Sequence, residues 1–248
     1  EVDFALFPIP SSEGVAGRDR LSFAQQRMWF LWQLDPQSAG YNLPLSVCLD
    51  GELDITALER AFSLLVERHE SLRTTFFQDD EQVWQRIAPP SPVSIEVRDL
   101  HQVAEPQRWA QAQEHMRSEA SQAFDLEHGP LMRVLLLRID ATRHVLLLTL
   151  HHIITDGWSM GVLLDECLGC YDDLTQGRQP QLAPLPVQYR DYALWQRAWL
   201  EAGEQTRQLE YWRGHLGAEH PVLDLPTDHP HPVVPGQQGK RLEIALDR

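Results

Sequence analysis

The densest apolar passage of the chain covers residues 131–139 and 145–150, with a polar turn at 138–143 between the two runs. Leucine, valine and isoleucine dominate both runs with few charges, the pattern of central strands covered on both faces. A different period precedes them. Ile55, Leu58, Phe62, Leu65 and Val66 recur at helical spacing behind Asp54, a good capping residue, and predict a strong amphipathic helix. Ser22 and Gln25 form a capping-box pattern at the head of a short helix carrying Phe23, Met28, Trp29 and Phe30, which Asp35-Pro36 ends. Further strands are predicted over 43–49, 74–77, 83–87 and 93–97, and further helices over about 106–123 and 159–174.

The breaks in these periods divide the chain. Residues 1–20, interrupted by Pro8, Pro10, Gly14 and Gly17, read as a linker. Residues 21–174 form a first lobe, and 175–186, with Gly177, Pro180, Pro184 and Pro186, an inter-lobe linker. Residues 187–248 then read as the incomplete beginning of a second lobe. It opens with one or two helices bearing Tyr189, Tyr192, Trp195 and Trp199, and ends on an alternating strand at 241–246.

Of the 248 residues, 43% are hydrophobic and 23% charged, enough apolar material for a sizeable core. The formal charge of −15 repels phosphate backbones and anionic lipids, which argues against nucleic acid and membrane surfaces as partners. No apolar run is long enough to span a bilayer, and a cytoplasmic location is expected. Three cysteines, Cys48, Cys167 and Cys170, fit a reducing compartment better than a disulfide framework.

Candidate chemistry is concentrated in His151-His152-Ile153-Ile154-Thr155-Asp156-Gly157-Trp158-Ser159, where the buried strand gives way to a loop and a helix. Adjacent histidines at a strand end point to opposite faces, so one faces the chemistry and the other the interior. Gly157 permits a positive φ or a close backbone approach. Taken alone, such a histidine pair is more often a satisfied core feature than a catalytic one.

This run resembles the HHxxxDG signature shared by non-ribosomal peptide synthetase condensation domains and chloramphenicol acetyltransferase-like acyltransferases. Three more stretches resemble condensation domains in that family's order: Leu21-Ser-Phe-Ala-Gln-Gln-Arg-Met-Trp-Phe-Leu31, Arg68-His-Glu-Ser-Leu-Arg-Thr-Thr-Phe76 and Tyr189-Arg-Asp-Tyr-Ala-Leu-Trp195. Phe124-Asp-Leu-Glu-His-Gly-Pro-Leu131 is a further likeness, and Met28 and Thr155 are mild departures from a commoner Leu and Ser. The resemblance runs from Leu21 to the end of the sequence. It implies an α/β fold of the chloramphenicol acetyltransferase type, a mixed sheet flanked by helices followed by the start of a second similar lobe. Family domains extend well beyond this length, so the chain alone is expected to be inactive or weakly active.

The implied reaction is peptide-bond formation in antibiotic or siderophore biosynthesis. A donor thioester and an acceptor amine arrive on the 4′-phosphopantetheine arms of upstream and downstream carrier proteins, beside an adenylation domain. No permanently bound cofactor or metal is implied. His152 faces the chemistry, positioning the amine or taking its proton, and His151 has a structural role. Asp156 pairs with an arginine of the second motif, Arg73 rather than Arg68. The Gly157 N–H is a candidate donor to the oxyanion. The run Asp156-Gly-Trp-Ser-Met160 resembles the subtype joining two L-residues.

Plainer readings compete at several positions. His152 and Asp156 as metal ligands lack a helical ligand face, Cys167-Leu-Gly-Cys170 sits among core positions, and Asp228-His229-Pro230-His231 reads as a solvated loop. A carrier-docking module without catalysis, or an acyltransferase acting on a free small molecule, are the competing functions.

Overall fold

The two apolar runs become β6 (Met132–Arg138) and β7 (Arg143–His151), the middle of a four-stranded mixed sheet of order β2-β7-β6-β5. Here β2 is Asn42–Asp50, antiparallel to β7, and β5 is Glu96–Asp99, parallel to β6. Alternation along the pleat sorts their side chains. Val134, Leu136, Leu146, Leu148 and Leu150 join one core, while Leu135, Leu137, Val145 and Leu147 join another on the opposite face. The computed structural model describes residues 8–11, 18–219, 223, 225–230, 233 and 244. The strand expected over 241–246, apart from residue 244, His231 and most of the linker expected over 1–20 lie outside the described residues.

Helices cover both faces. On one side lie α1 (Phe23–Leu34), α2 (Ile55–Arg68) and α4 (Gly157–Thr175), contributing Trp29, Phe62, Leu65, Leu163 and Cys167 to the larger core. On the other lies α3 (Glu105–Ser121), whose fully buried Ala112 sits in the smaller core. The capping signals act as the residue types dictate. Ser22 and Gln25 exchange both bonds of a capping box, and Asp54 Oδ1 accepts from the Ala57 N–H at 2.9 Å.

Three details differ from the sequence reading, each for a local reason. A separate antiparallel sheet of order β1-β4-β3 stands beside the mixed one, with β1 (Asp19–Arg20), β3 (Thr74–Asp79) and β4 (Gln82–Ile87). Its first strand falls within the expected linker, because Asp19 and Arg20 pair with Gln85 and Trp84. Next, β5 begins at Glu96 rather than 93, since side chains of α2 take the preceding amides: Val93 N–H donates to Ser63 Oγ and Ile95 N–H to Glu59 Oε1, both at 2.9 Å. Finally, α4 starts at Gly157, two residues early, because Asp156 caps it.

The first compact unit runs to Ala202 and includes α5 (Tyr189–Trp199). This helix packs on α1: Phe23 N–H donates to Gln196 Oε1 at 3.1 Å, and the Arg197 guanidinium lies 4.5 Å above the Phe23 ring. The second unit, from Gly203, holds α6 (Gln205–Leu216), where Tyr211 and His215 stack with centroids 5.8 Å apart. Among the described residues no helix is long and apolar enough to cross a membrane.

Candidate active site

The final residue of β7 and the loop behind it separate the two histidines. His151 is 3% exposed, with Phe124 edge-on at 6.1 Å between ring centroids. Its Nδ1 accepts the Ile153 N–H at 3.1 Å, and burial, aided by the neighbouring His152, lowers its pKa to about 4. At neutral pH it is therefore an uncharged core residue. His152, the first residue after β7, is half-buried. Its Nδ1 lies 2.8 Å from the Thr155 carbonyl oxygen. A carbonyl only accepts, so Nδ1 carries the ring proton and Nε2 holds the free lone pair.

His152 lines an open cavity of about 340 Å³ whose lining residues all belong to the first unit. Its walls come from α1 (Gln25, Met28), the turn after α2 (His69, Leu72), the 152–156 loop, and the head of α4. Tyr189 of α5 adds its ring and donates or accepts a bond with Ser22 Oγ at 3.0 Å. Trp158, 85% exposed, stands at the same cavity. Such a chamber, mostly apolar with a few convergent polar groups, suits a small organic substrate or the end of a larger one.

Asp156 does not pair with Arg73 or Arg68, which corrects the expected ion pair. The exposed carboxylate instead accepts from Ser159 N–H at 2.8 Å and Ser159 Oγ at 2.6 Å. Those bonds, the side-chain one foremost, hold its carboxyl below the usual range. Arg73 is occupied elsewhere, donating to the Val66 and Ala88 carbonyl oxygens at 3.2 and 2.6 Å and so tying the end of α2 to the residue that follows β4. Arg68 meets Glu166 at 3.1 Å. Gly157 also departs from expectation. It has no positive φ, and a Cβ there would meet nothing within 4 Å. As the first residue of α4 its N–H belongs to the uncompensated end of the helix.

Sequence reasoning missed His69, Gln25 and Tyr189 as cavity residues. Each lies within a stretch that resembles the family, so the signal was present, but their convergence depends on contacts across as many as 167 positions of sequence. Cys167 and Cys170 are buried free thiols, and burial pushes Cys167 up to about 12. Among the described residues, the grouping compatible with a metal is the exposed trio Asp125, Glu127 and His128, none of which lines the cavity.

A mixed sheet flanked by helices, with a strand-end histidine beside a cavity, is the architecture the described residues define. The particular family follows from comparison. A family model described as the condensation domain matches residues 15–248, and the chain belongs to that family. It is 46% identical over 97% of its length to a linear gramicidin synthase polypeptide of Brevibacillus parabrevis, and covers 3% of that protein. Among solved structures, the X-domain from teicoplanin biosynthesis, in complex with OxyB, superposes with a TM-score of 0.77 and 31% identity. That match covers 92% of this chain and 50% of the X-domain chain. The starter condensation domain of rhizomide synthetase gives a TM-score of 0.73 at 26% identity, over 81% of this chain and 48% of that one. The chain thus spans about half the length of the solved structures it matches, as an N-terminal lobe, and a small fraction of its curated relative.

Proposed function

We propose that this lobe supplies the catalytic histidine of a condensation domain that joins a carrier-bound aminoacyl or peptidyl thioester to the amine of a second carrier-bound aminoacyl group. The observation that carries this reading is the anchored His152 ring, whose protonated Nδ1 is fixed on Thr155 while Nε2 remains for a substrate in the cavity. The amine nitrogen attacks the thioester carbonyl carbon, forming the C–N bond. The resulting oxyanion collapses, the C–S bond breaks, and the donor arm leaves as a thiol. The proton shed by the amine passes to Nε2 and on to the departing sulfur. A thioester is already activated, so oriented juxtaposition supplies roughly 7–11 kcal/mol of the barrier, and His152 acts as much by holding the amine as by accepting its proton. The Gly157 N–H, at the positive end of α4, is the donor assigned to the oxyanion.

Under this reading the partners are an upstream donor carrier, a downstream acceptor carrier and a neighbouring adenylation domain of a cytoplasmic synthetase. The pantetheine arms belong to the substrates. The run Asp156-Gly157-Trp158-Ser159-Met160 supports the subtype joining two L-residues. The test compares amide formation by this chain alone and by a two-lobed condensation domain carrying it, with both carriers loaded. Product from the two-lobed protein and little from the chain alone supports the reading. Product from free small molecules at equal rate, without carriers, overturns it in favour of a free-substrate acyltransferase. A second reading, a docking module without catalysis, draws on the likeness to the X-domain solved with OxyB. Carrier binding without amide product would select it.

A further inference from the structure

His152 is not the only imidazole in its cavity. His69, at the C-terminal end of α2, lines the same space and is used by no step above. Its Nε2 lies 2.6 Å from Glu166 Oε2 of α4, while Arg68 Nε holds the other carboxylate oxygen at 3.1 Å. A carboxylate accepts, so Nε2 carries a proton, and in the neutral tautomer this leaves the lone pair at Nδ1. That nitrogen has no hydrogen-bond partner among the described residues. Nor is it one of the fully buried unsatisfied atoms, so it is open to the cavity or to solvent. The ring is held at one nitrogen and unengaged at the other, the same arrangement His152 shows in mirrored form: Nδ1 anchored there, Nε2 anchored here.

Resting on the reading above, we propose that His69 is a second substrate contact of the cavity, its Nδ1 accepting an N–H from the carrier-bound substrate while Glu166 positions the ring. The chemistry selects the donor. A thioester carbonyl and its sulfur only accept and find no complement in a lone pair, whereas an amino or amide nitrogen does. Nearby Met28, Leu72 and Leu163 make that wall largely apolar. A hydrogen bond formed there is shielded from water and discriminates more strongly than one at an open surface.

Two substitutions separate contact from scaffold, because the side-chain amides of Asn and Gln reach the places of different ring nitrogens. His69→Gln reaches the Nε2 place and keeps Glu166 satisfied, leaving the Nδ1 place empty. His69→Asn restores an acceptor near the Nδ1 place and gives up Glu166. In the two-lobed domain with loaded carriers, the Gln variant is expected to melt like wild type while KM for one loaded carrier rises about five- to ten-fold. The Asn variant is expected to melt lower yet keep KM within about two-fold. The reverse pattern, Gln normal and Asn defective in KM, or normal KM in both, overturns the inference. Wild type and His152→Ala run alongside. Product that depends on His152 with an unaffected Gln variant sinks this inference alone, whereas no product from wild type sinks the underlying reading and this inference with it.

Discussion

Asp156→Ala distinguishes a helix cap from the ion pair that the sequence suggested. In the structure this carboxylate caps α4, accepting from Ser159 N–H at 2.8 Å and Ser159 Oγ at 2.6 Å from an exposed position. Loss of such a cap costs about 1 kcal/mol, within a range of roughly 0.5–2. For a unit of this size that lowers the melting temperature by about 2–4 °C. Breaking a buried ion pair would cost about 3–5 kcal/mol and shift melting by roughly 6–20 °C. Asparagine caps nearly as well as aspartate, so Asp156→Asn should restore most of the loss. The pH dependence adds a sign. Because folding depresses this carboxyl, its stabilisation is present above the unfolded value near ~3.9 and is lost as pH falls through the folded value. Thermal melts of the three proteins at pH 7 and again near pH 3 read both effects, and the gap between wild type and Asp156→Ala should narrow at the lower pH. An insoluble Asp156→Ala protein, a fall of 10 °C, or an Asn variant as damaged as Ala would refute the cap and restore a buried partner.

Other consequences follow from the same contacts. His151, with its pKa lowered to about 4, binds a proton more readily when unfolded, so acidification from about pH 6.5 to 4 should remove on the order of 3 kcal/mol of stability. His151→Asn, which keeps an acceptor for the Ile153 N–H, should flatten that part of the stability profile in denaturant melts across this window, and an unchanged slope would contradict the buried neutral imidazole. Alkylation followed by mass should add one label quickly, at exposed Cys48, and two more after unfolding, because Cys167 and Cys170 are buried with raised pKa values. A protein ended at residue 186 should melt at least about 5 °C below one ended at residue 202, since α5 takes with it the bonds to Phe23 and Ser22 and the Arg197 contact; equal melting would place the boundary in the 175–186 segment.

Local physics made much of the fold legible. The Ser22 box, the Asp54 cap and the apolar runs of β6 and β7 each depend on residues within a few positions of one another, and the sequence reading placed all of them. The start of β5 was not legible, because Ser63 and Glu59 of α2 take the amides that alternation alone would give to a strand. At the site, adjacency at a strand end was the basis for expecting one interior and one accessible histidine, and His151 is buried while His152 lines a cavity. The choice of partner for Asp156 was not legible. An aspartate three residues before a serine amide carries an N-cap signal as well as an ion-pair one, and the family likeness weighted the latter. His69 sits inside the second motif, yet the sequence assigns it no role, because the carboxylate that holds it stands 97 positions away.

Everything functional in this account converges on His152 and its free Nε2. Single-turnover amide formation in a two-lobed condensation domain carrying this chain, with donor and acceptor carriers loaded, tests it most directly. His152→Ala is predicted to slow that step by roughly 10²–10⁴-fold, while melting falls by no more than about 3 °C. A rate within a few-fold of wild type, in a protein that melts normally, would contradict the assignment.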